Sequence, residues 1–181
     1  MNVKKALLIC LALLCVCMLT ACDPAEQPAE DTEVTTQETV QKPAGNAPDF
    51  IVLDGESKLV HLSDFYGKPV VLNFWATWCG YCKVEMPDFD KAYREYPDVV
   101  FMMIDATDGV YETKQMADAY VQSQGFSFDV YYDVTGSAQN AYHLSGYPTT
   151  VFIDANGDVV RTEVGMIDYE TLVQGIEEIT E

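Results

Sequence analysis

Cys79 and Cys82 stand two residues apart, a spacing at which two thiols could carry out redox chemistry. They follow the apolar run Val70–Trp75 and lead into a segment whose apolar residues recur at helical spacing. A helix N-terminus carries unpaired N–H groups and a partial positive charge, and both stabilise a thiolate. The pattern therefore predicts a thiol nucleophile where a buried strand meets a helix.

The helix dipole alone is too weak to activate such a thiol. A free cysteine has a pKa of about 8.5, and each unit of depression corresponds to about 1.4 kcal/mol. The dipole contributes only about 0.3–1 kcal/mol, so hydrogen-bond donors to the sulfur must supply the rest. The net charge of −19 opposes ionisation, but screening over about 8–10 Å weakens distant charges. Local geometry should decide the thiol's reactivity.

The other cysteines lie in a different part of the chain. Of six in total, Cys10, Cys15, Cys17 and Cys22 fall in the apolar N-terminal segment. Small secreted scaffolds spread several cysteine pairs over their loops. One closely spaced pair in the remaining sequence therefore argues against a fold held together by disulfides.

The N-terminal segment has the pattern of a secretory signal, with Lys4 and Lys5 followed by an apolar run. Leu19–Cys22 reads Leu-Thr-Ala-Cys and resembles the lipobox of bacterial lipoproteins. That resemblance implies cleavage before Cys22 and a diacylglyceryl group on its thiol. An uncleaved signal anchor and ordinary cleavage after Ala21 are the alternatives. In each case we expect the remainder outside the cytoplasm, on or near the cytoplasmic membrane.

The chain is expected to have three parts: a signal peptide over 1–21, the lipidated cysteine with a flexible linker over 22–46, and a folded domain over 47–181. The linker is rich in Pro, Glu, Gln, Thr and Ala without apolar periodicity, so it cannot bury enough surface to offset the entropy of ordering. The acidic charge argues against nucleic acid as a partner, because phosphate binding needs a basic surface.

Strands and helices alternate along the predicted domain. Two hairpins are indicated by Asp54-Gly55 and Asn156-Gly157 between apolar runs. The predicted elements are strands at Phe50–Leu53, Leu59–Leu62, Val70–Trp75, Val99–Asp105, Phe126–Tyr132, Thr149–Ile153 and Val159–Val164, and helices from Cys79 to near Pro97, at Glu112–Gln124 with Met116 and Tyr120 inward, at Gly136–Leu144, and after Asp168. This order predicts an α/β three-layer sandwich, in which helices flank a mixed sheet that begins with a β-hairpin.

Several separated motifs resemble the thioredoxin fold, and together they resemble its TlpA/ResA branch. They are Phe74–Lys83 (FWATWCGYCK), Ala47–Phe50 (APDF), Gly67–Pro69 (GKP), Glu85 with Pro87, and Gly146–Thr150 (GYPTT). The resemblance implies a membrane-tethered, extracytoplasmic thiol–disulfide oxidoreductase with a thioredoxin-like fold. It implies no cofactor beyond a redox-active Cys79–Cys82 disulfide.

The resemblance also implies a role for each site residue. Cys79 attacks a partner's disulfide as a thiolate, and Cys82 resolves the mixed disulfide. Glu85 accepts or returns the Cys82 proton; a solvated helix residue is the alternative. Tyr147 and Pro148 match the loop whose cis proline faces the cysteines and exposes backbone for a client strand, with a trans proline as the alternative.

Asn73 occupies the position at which classical thioredoxins have a buried aspartate. Because that proton acceptor is absent here, Glu85 becomes the stronger candidate for the role. Gly80-Tyr81 departs from the Gly-Pro or Glu-Pro pairs commoner in relatives. Because this dipeptide tunes the reduction potential, the direction of electron flow stays open.

The leading functional hypothesis is a lipid-anchored reductase of disulfides, and the family resemblance implies that a membrane electron donor of the CcdA/DsbD type supplies it. Its client would be a protein disulfide, such as that of apocytochrome c or a methionine sulfoxide reductase. Alternatives are a disulfide-donating oxidase, a Cu(I) or Zn(II) carrier using the two cysteines, and a binding module with a structural disulfide. A peroxiredoxin needs Pro and Thr where this chain has Leu72 and Ala76.

Overall fold

The computed structural model describes residues 45–181, and a mixed seven-stranded sheet organises this part of the chain. The strands run in the spatial order β2-β1-β5-β4-β3-β6-β7. Their bounds are β1 Ile51–Leu53, β2 Leu59–His61, β3 Val70–Trp75, β4 Val100–Asp105, β5 Val130–Tyr132, β6 Thr149–Ile153 and β7 Val159–Val164. The helices are α1 Gly80–Glu95, α2 Lys114–Gln124, α3 Ser137–Ala141 and α4 Tyr169–Thr180, with a 3₁₀ turn at Leu62–Phe65. The predicted signal peptide, Cys22 and the linker up to residue 44 lie outside the described residues.

The central strands are buried because most of their side chains are apolar on both faces of the sheet. All six residues of β3 are buried, as expected for a strand covered by helices on each side. β3 pairs in parallel with β4 and antiparallel with β6. Trp75 is opposite Asp105 in the β3–β4 register, so these two strands end at the same edge of the sheet.

Two apolar clusters, one on each face of the sheet, make up the core. The first packs α1, α2 and α4 against the sheet, and its largest members include Trp75, Met86, Phe89 and Phe152. The second packs the 3₁₀ turn and α3 against the other face through Leu62, Phe74, Met102 and Ala138. The predicted α/β three-layer sandwich is confirmed.

Helix α4 comes unusually close to the sheet at Gly175. A Cβ atom at this position would lie 2.3 Å from the ring of Phe152, so only glycine permits this approach. Asp168 caps the same helix as predicted, with its carboxylate accepting a hydrogen bond from the Thr171 N–H at 2.9 Å.

The structure differs from the predictions at α2 and β5. The helix begins at Lys114, after the cap Thr113, and not at Glu112. Met116 is exposed, and Ala117 faces the core in its place; the prediction of Met116 as an inward residue is wrong. Neighbouring helix residues are about 100° apart around the axis, so Met116 and Ala117 cannot both face the sheet, and Ala117 is the one that belongs to the core cluster. β5 is also shorter than predicted. None of the helices within residues 45–181 is long and apolar enough to cross a membrane.

Candidate active site

The two cysteines lie at the junction predicted from the sequence. β3 ends at Trp75, a short loop follows, and α1 begins at Gly80 with Cys79 as its N-cap residue. Cys79 and Cys82 form a disulfide. The Cys82 N–H, one of the helix's unpaired donors, points to the Cys79 sulfur at 3.1 Å. This donor would remain beside a Cys79 thiolate and stabilise it.

The two sulfurs differ in their access to a partner. Cys79 keeps 6% of its surface exposed, whereas Cys82 has none. A partner's sulfur can therefore reach Cys79 first, and Cys82 only through Cys79. This order fits the roles that the resemblance implies, which stay predictions.

The Tyr147–Pro148 peptide bond is cis, the geometry that the resemblance implied. The Tyr147 ring packs edge-to-face on exposed Trp78, with ring centroids 5.5 Å apart. Its hydroxyl donates a hydrogen bond to the Gln139 side chain, and Tyr147 also packs against the apolar cluster that contains both cysteines. The proline loop and the residue before Cys79 thus form one surface.

Glu85 is almost fully buried, at 1% exposure, one helical turn after Cys82. Its Oε1 accepts a hydrogen bond from Asn73 Nδ2 at 2.8 Å, and its Oε2 accepts one from the Ile167 N–H at 3.0 Å. Asn73 Nδ2 also donates to Thr150 Oγ1 at 3.2 Å. The carboxyl therefore joins α1 to the sheet and to the segment after β7. The alternative of a solvated helix residue is wrong.

Burial raises the pKa of Glu85 from 4.5 to about 7, against the opposing effect of the two hydrogen bonds it accepts. A carboxyl with such a pKa is partly protonated near neutral pH, so it can both take up and release a proton there. Asn73 is neutral, so it supplies a donor to Glu85 without adding a second negative charge.

Sequence reasoning missed a group of buried carboxyls beside the cysteine loop: Asp105, Glu112 and Asp133. Glu112 accepts hydrogen bonds from Thr77, two residues before Cys79. The sequence does contain a signal for Asp105, because this acidic residue ends an otherwise apolar strand adjacent to the strand that leads to the cysteines. No such signal marks Glu112, which the sequence pattern predicts to be the first residue of a helix.

The raised pKa of Glu85 predicts a specific pH dependence of stability. The folded protein keeps a proton that the unfolded chain loses near pH 4.5, so the free energy of unfolding should fall as pH rises from there to about 7. Glu85→Gln cannot ionise and should reduce this fall by about 2–3 kcal/mol. Denaturant unfolding of the oxidised protein at about pH 5 and pH 8 measures the difference. Equal falls in both proteins would contradict the assignment, whatever the variant's absolute stability.

Comparison with known proteins places this site in a family. The AhpC/TSA family model matches residues 43–162. The thiol–disulfide oxidoreductase ResA of Geobacillus kaustophilus is 32% identical over 148 residues, covering 82% of this chain and 84% of the relative. ResA of Bacillus subtilis is 33% identical over 135 residues, covering 71% and 74%.

Solved structures show the same similarity. A putative thiol:disulfide interchange protein DsbE from Chlorobium tepidum is 29% identical, with a TM-score of 0.68, covering 76% of this chain and 96% of that one. The exposed lipoprotein thioredoxin Etrx1 of Streptococcus pneumoniae is 29% identical, with a TM-score of 0.62, covering 72% and 98%.

Leu72 and Ala76 lie on β3 and directly after it, and they are the positions where a peroxiredoxin would need Pro and Thr. The matched relatives named above are thiol–disulfide exchange proteins, as the cysteine pair predicts. The chain therefore belongs to the AhpC/TSA family, as a thioredoxin-fold thiol–disulfide oxidoreductase similar to ResA.

Proposed function

We propose that this protein is a lipid-anchored, extracytoplasmic reductase of protein disulfides. The observation that carries the exchange chemistry of this proposal is the asymmetry of the cysteine pair. Cys79 caps a helix and keeps a small exposed surface, whereas Cys82 is fully buried behind it. They are also the only cysteines within the described residues, so no other thiol there competes for the mixed disulfide.

The reaction is a two-electron exchange without a bound cofactor. The Cys79 thiolate attacks one sulfur of the client disulfide, forms a mixed disulfide, and releases the client's other sulfur as a thiolate. The Cys82 thiolate then attacks the Cys79 sulfur and releases the client's second thiolate. Both released thiolates take up protons. The client is reduced by two electrons, and the Cys79–Cys82 disulfide forms.

Glu85 is proposed to handle the Cys82 proton. Cys82 must lose its proton before it can resolve the mixed disulfide, and it lies where water does not reach it. The carboxyl of Glu85 is one helical turn away and has a pKa of about 7, which suits a general base operating near neutral pH.

The surface around Cys79 suits an apolar client segment. Trp78, Tyr81 and Val84 are exposed beside the cysteine pair, and Tyr147 packs on Trp78. We propose that an extended client segment pairs with the backbone at Tyr147 and places its disulfide against Cys79. Pro148 would keep this backbone turned toward the cysteines.

The proposed location and partners follow from the N-terminal sequence and the relatives. Cys22 follows a signal-like segment, and the Streptococcus pneumoniae relative is named an exposed lipoprotein. A reductase outside the cytoplasm needs electrons from across the membrane, so we propose a donor of the CcdA/DsbD type. Apocytochrome c and a methionine sulfoxide reductase are the proposed clients.

Serine variants of the two cysteines should separate their roles. In an insulin-reduction assay with dithiothreitol, Cys79→Ser should reduce the rate to background, because the attacking sulfur is lost. Cys82→Ser should still attack and should accumulate a mixed disulfide, because nothing resolves it. Non-reducing gels of the full-length protein with a disulfide-bonded client measure this adduct. An adduct formed by Cys79→Ser and not by Cys82→Ser would reverse the assignment.

The direction of electron flow is tested by the reduction potential. A reductase should have a potential of about −250 mV or lower, whereas a value near −120 mV would indicate a disulfide-donating oxidase. Equilibration in glutathione or dithiothreitol redox buffers, followed by the fluorescence of Trp75 and Trp78, gives the value. A potential near that of the oxidase would overturn the reductase proposal and leave the exchange chemistry intact.

The lipid anchor is tested by replacing Cys22. Cys22→Ser should lose the incorporation of labelled fatty acid, because one sulfur carries the diacylglyceryl group. Cys17→Ser is the matched control and should behave as the wild type, since Cys17 lies within the signal segment. Unchanged labelling of Cys22→Ser would contradict the anchor.

A further inference from the structure

Glu112 holds the loop that carries the attacking cysteine. It is 0% exposed, and its Oε2 accepts two hydrogen bonds from Thr77: one from the backbone N–H at 3.0 Å and one from Oγ1 at 2.7 Å. Thr77 is followed by Trp78 and Cys79. One carboxylate oxygen therefore fixes the backbone two residues before the reactive sulfur, from a segment 35 residues along the chain.

A tight loop in turn fixes Glu112. The carboxylate of Asp108 accepts hydrogen bonds from the N–H groups of Val110, Tyr111 and Glu112, at 2.7, 2.7 and 2.9 Å. The N–H groups of Asp108 and Gly109 donate to the Glu112 carbonyl, at 3.0 and 2.9 Å. With five hydrogen bonds closing this short segment, Glu112 has little freedom to leave Thr77.

A second buried carboxyl lies close to Glu112. Asp105, at the end of β4, is also 0% exposed and is near enough to Glu112 for the two carboxyls to interact electrostatically. Asp105 Oδ1 accepts a hydrogen bond from Thr107 Oγ1. Asp105 Oδ2 and Glu112 Oε1 have no donor within residues 45–181. Two carboxylate oxygens only accept, so they can pair only if one of them carries a proton.

The surroundings favour retention of that proton. Asp118 on α2 and buried Asp133 after β5 add negative charge near Asp105, whereas the phenols of Tyr132 and Tyr147 stay neutral because burial raises their pKa values. The nearby cation Lys114 is paired with Asp118 at 2.9 Å and stacks on Tyr132. Burial, with the charges of Glu112 and Asp118, raises the pKa of Asp105 well above its usual range.

We infer that Asp105 and Glu112 share one proton and together act as positioning residues for the Thr77–Cys79 segment during thiol–disulfide exchange. The shared proton keeps the two carboxyls together, and the remaining charge on Glu112 strengthens its hydrogen bonds to Thr77. Loss of the proton places two buried anions in contact, which drives Glu112 away from Thr77. The inference concerns exchange in either direction and does not depend on whether the protein is a reductase or an oxidase.

The shared proton is tested directly in the oxidised full-length protein, where the cysteines do not titrate. ¹³C NMR of the Asp105 and Glu112 side-chain carboxyls should show that the pair still holds one proton at pH 7 and releases it only in the alkaline range. Asp105→Asn should remove this alkaline step. Two ionised carboxyls at pH 7 in the wild type would overturn the inference.

Positioning is tested by the rate at which the reduced protein forms a mixed disulfide. Glu112→Ala should slow this step about tenfold, as expected for loss of charge-assisted hydrogen bonds to a reactive segment. Glu112→Gln should recover most of that loss, because its amide oxygen can accept from Thr77 and its amide N–H₂ can donate to Asp105. Exposed Glu177→Ala is the matched control and should match the wild type.

The pH profile separates positioning from a general loss of stability. The rate of the wild type, divided by that of Glu112→Gln, should fall at alkaline pH as the shared proton is lost, whereas the thiolate fraction rises in both proteins. A constant ratio, or a Glu112→Gln variant as slow as Glu112→Ala, would overturn the role of the pair.

Discussion

The hydrogen bond from the Cys82 N–H to the Cys79 sulfur is the contact on which the rest of the site depends. It makes the first cysteine the cap of α1, so the sulfur lies where the helix has unpaired donors. The buried strand β3 leads directly into the loop before α1 and so determines where this helix begins. The packing of α1 and α4 on the sheet determines the orientation of α1. Reactivity at one sulfur is therefore a property of the whole sandwich, and not of the Cys-x-x-Cys motif alone.

Buried carboxyls near the cysteines differ from exposed ones in the pH at which they lose their protons. Glu85 on α1 accepts a hydrogen bond from Asn73 on β3, and Glu112 accepts hydrogen bonds from Thr77 in the loop before the helix. Burial raises the pKa of Glu85 and of Asp105, and each of these two carboxyls lowers stability at neutral pH because it is more protonated in the folded protein than in the unfolded chain. Such groups are tolerated where hydrogen bonds satisfy most of their oxygens and where the chemistry needs a proton near neutral pH.

The sequence was sufficient for the fold, because the strand and turn signals are local. The buried run Val70–Trp75 and the hairpin at Asn156-Gly157 need only short-range patterns to be recognised. It was also sufficient for the position of Glu85, one turn after Cys82. The sequence could not identify the hydrogen-bond partners of Glu85 and Glu112. The Ile167 N–H that donates to Glu85 is 82 residues away in the sequence, and Thr77 is 35 residues away from Glu112. The spacing of apolar residues also did not show that Ala117, and not Met116, faces the core.

In the proposed mechanism, the two sets of carboxyls act on different cysteines, and this separates their effects on catalysis. Glu85, one helical turn after Cys82, is proposed to handle the proton of Cys82 during resolution of the mixed disulfide. The Asp105–Glu112 pair is proposed to act through Thr77 on Cys79, and so on the first attack. Because burial raises the pKa of Glu85 to about 7 and raises that of Asp105 as well, both proposed steps should respond to pH in the range where a thiol ionises. A pH profile of the overall reaction is then a composite, and only single-step measurements assign its parts to residues.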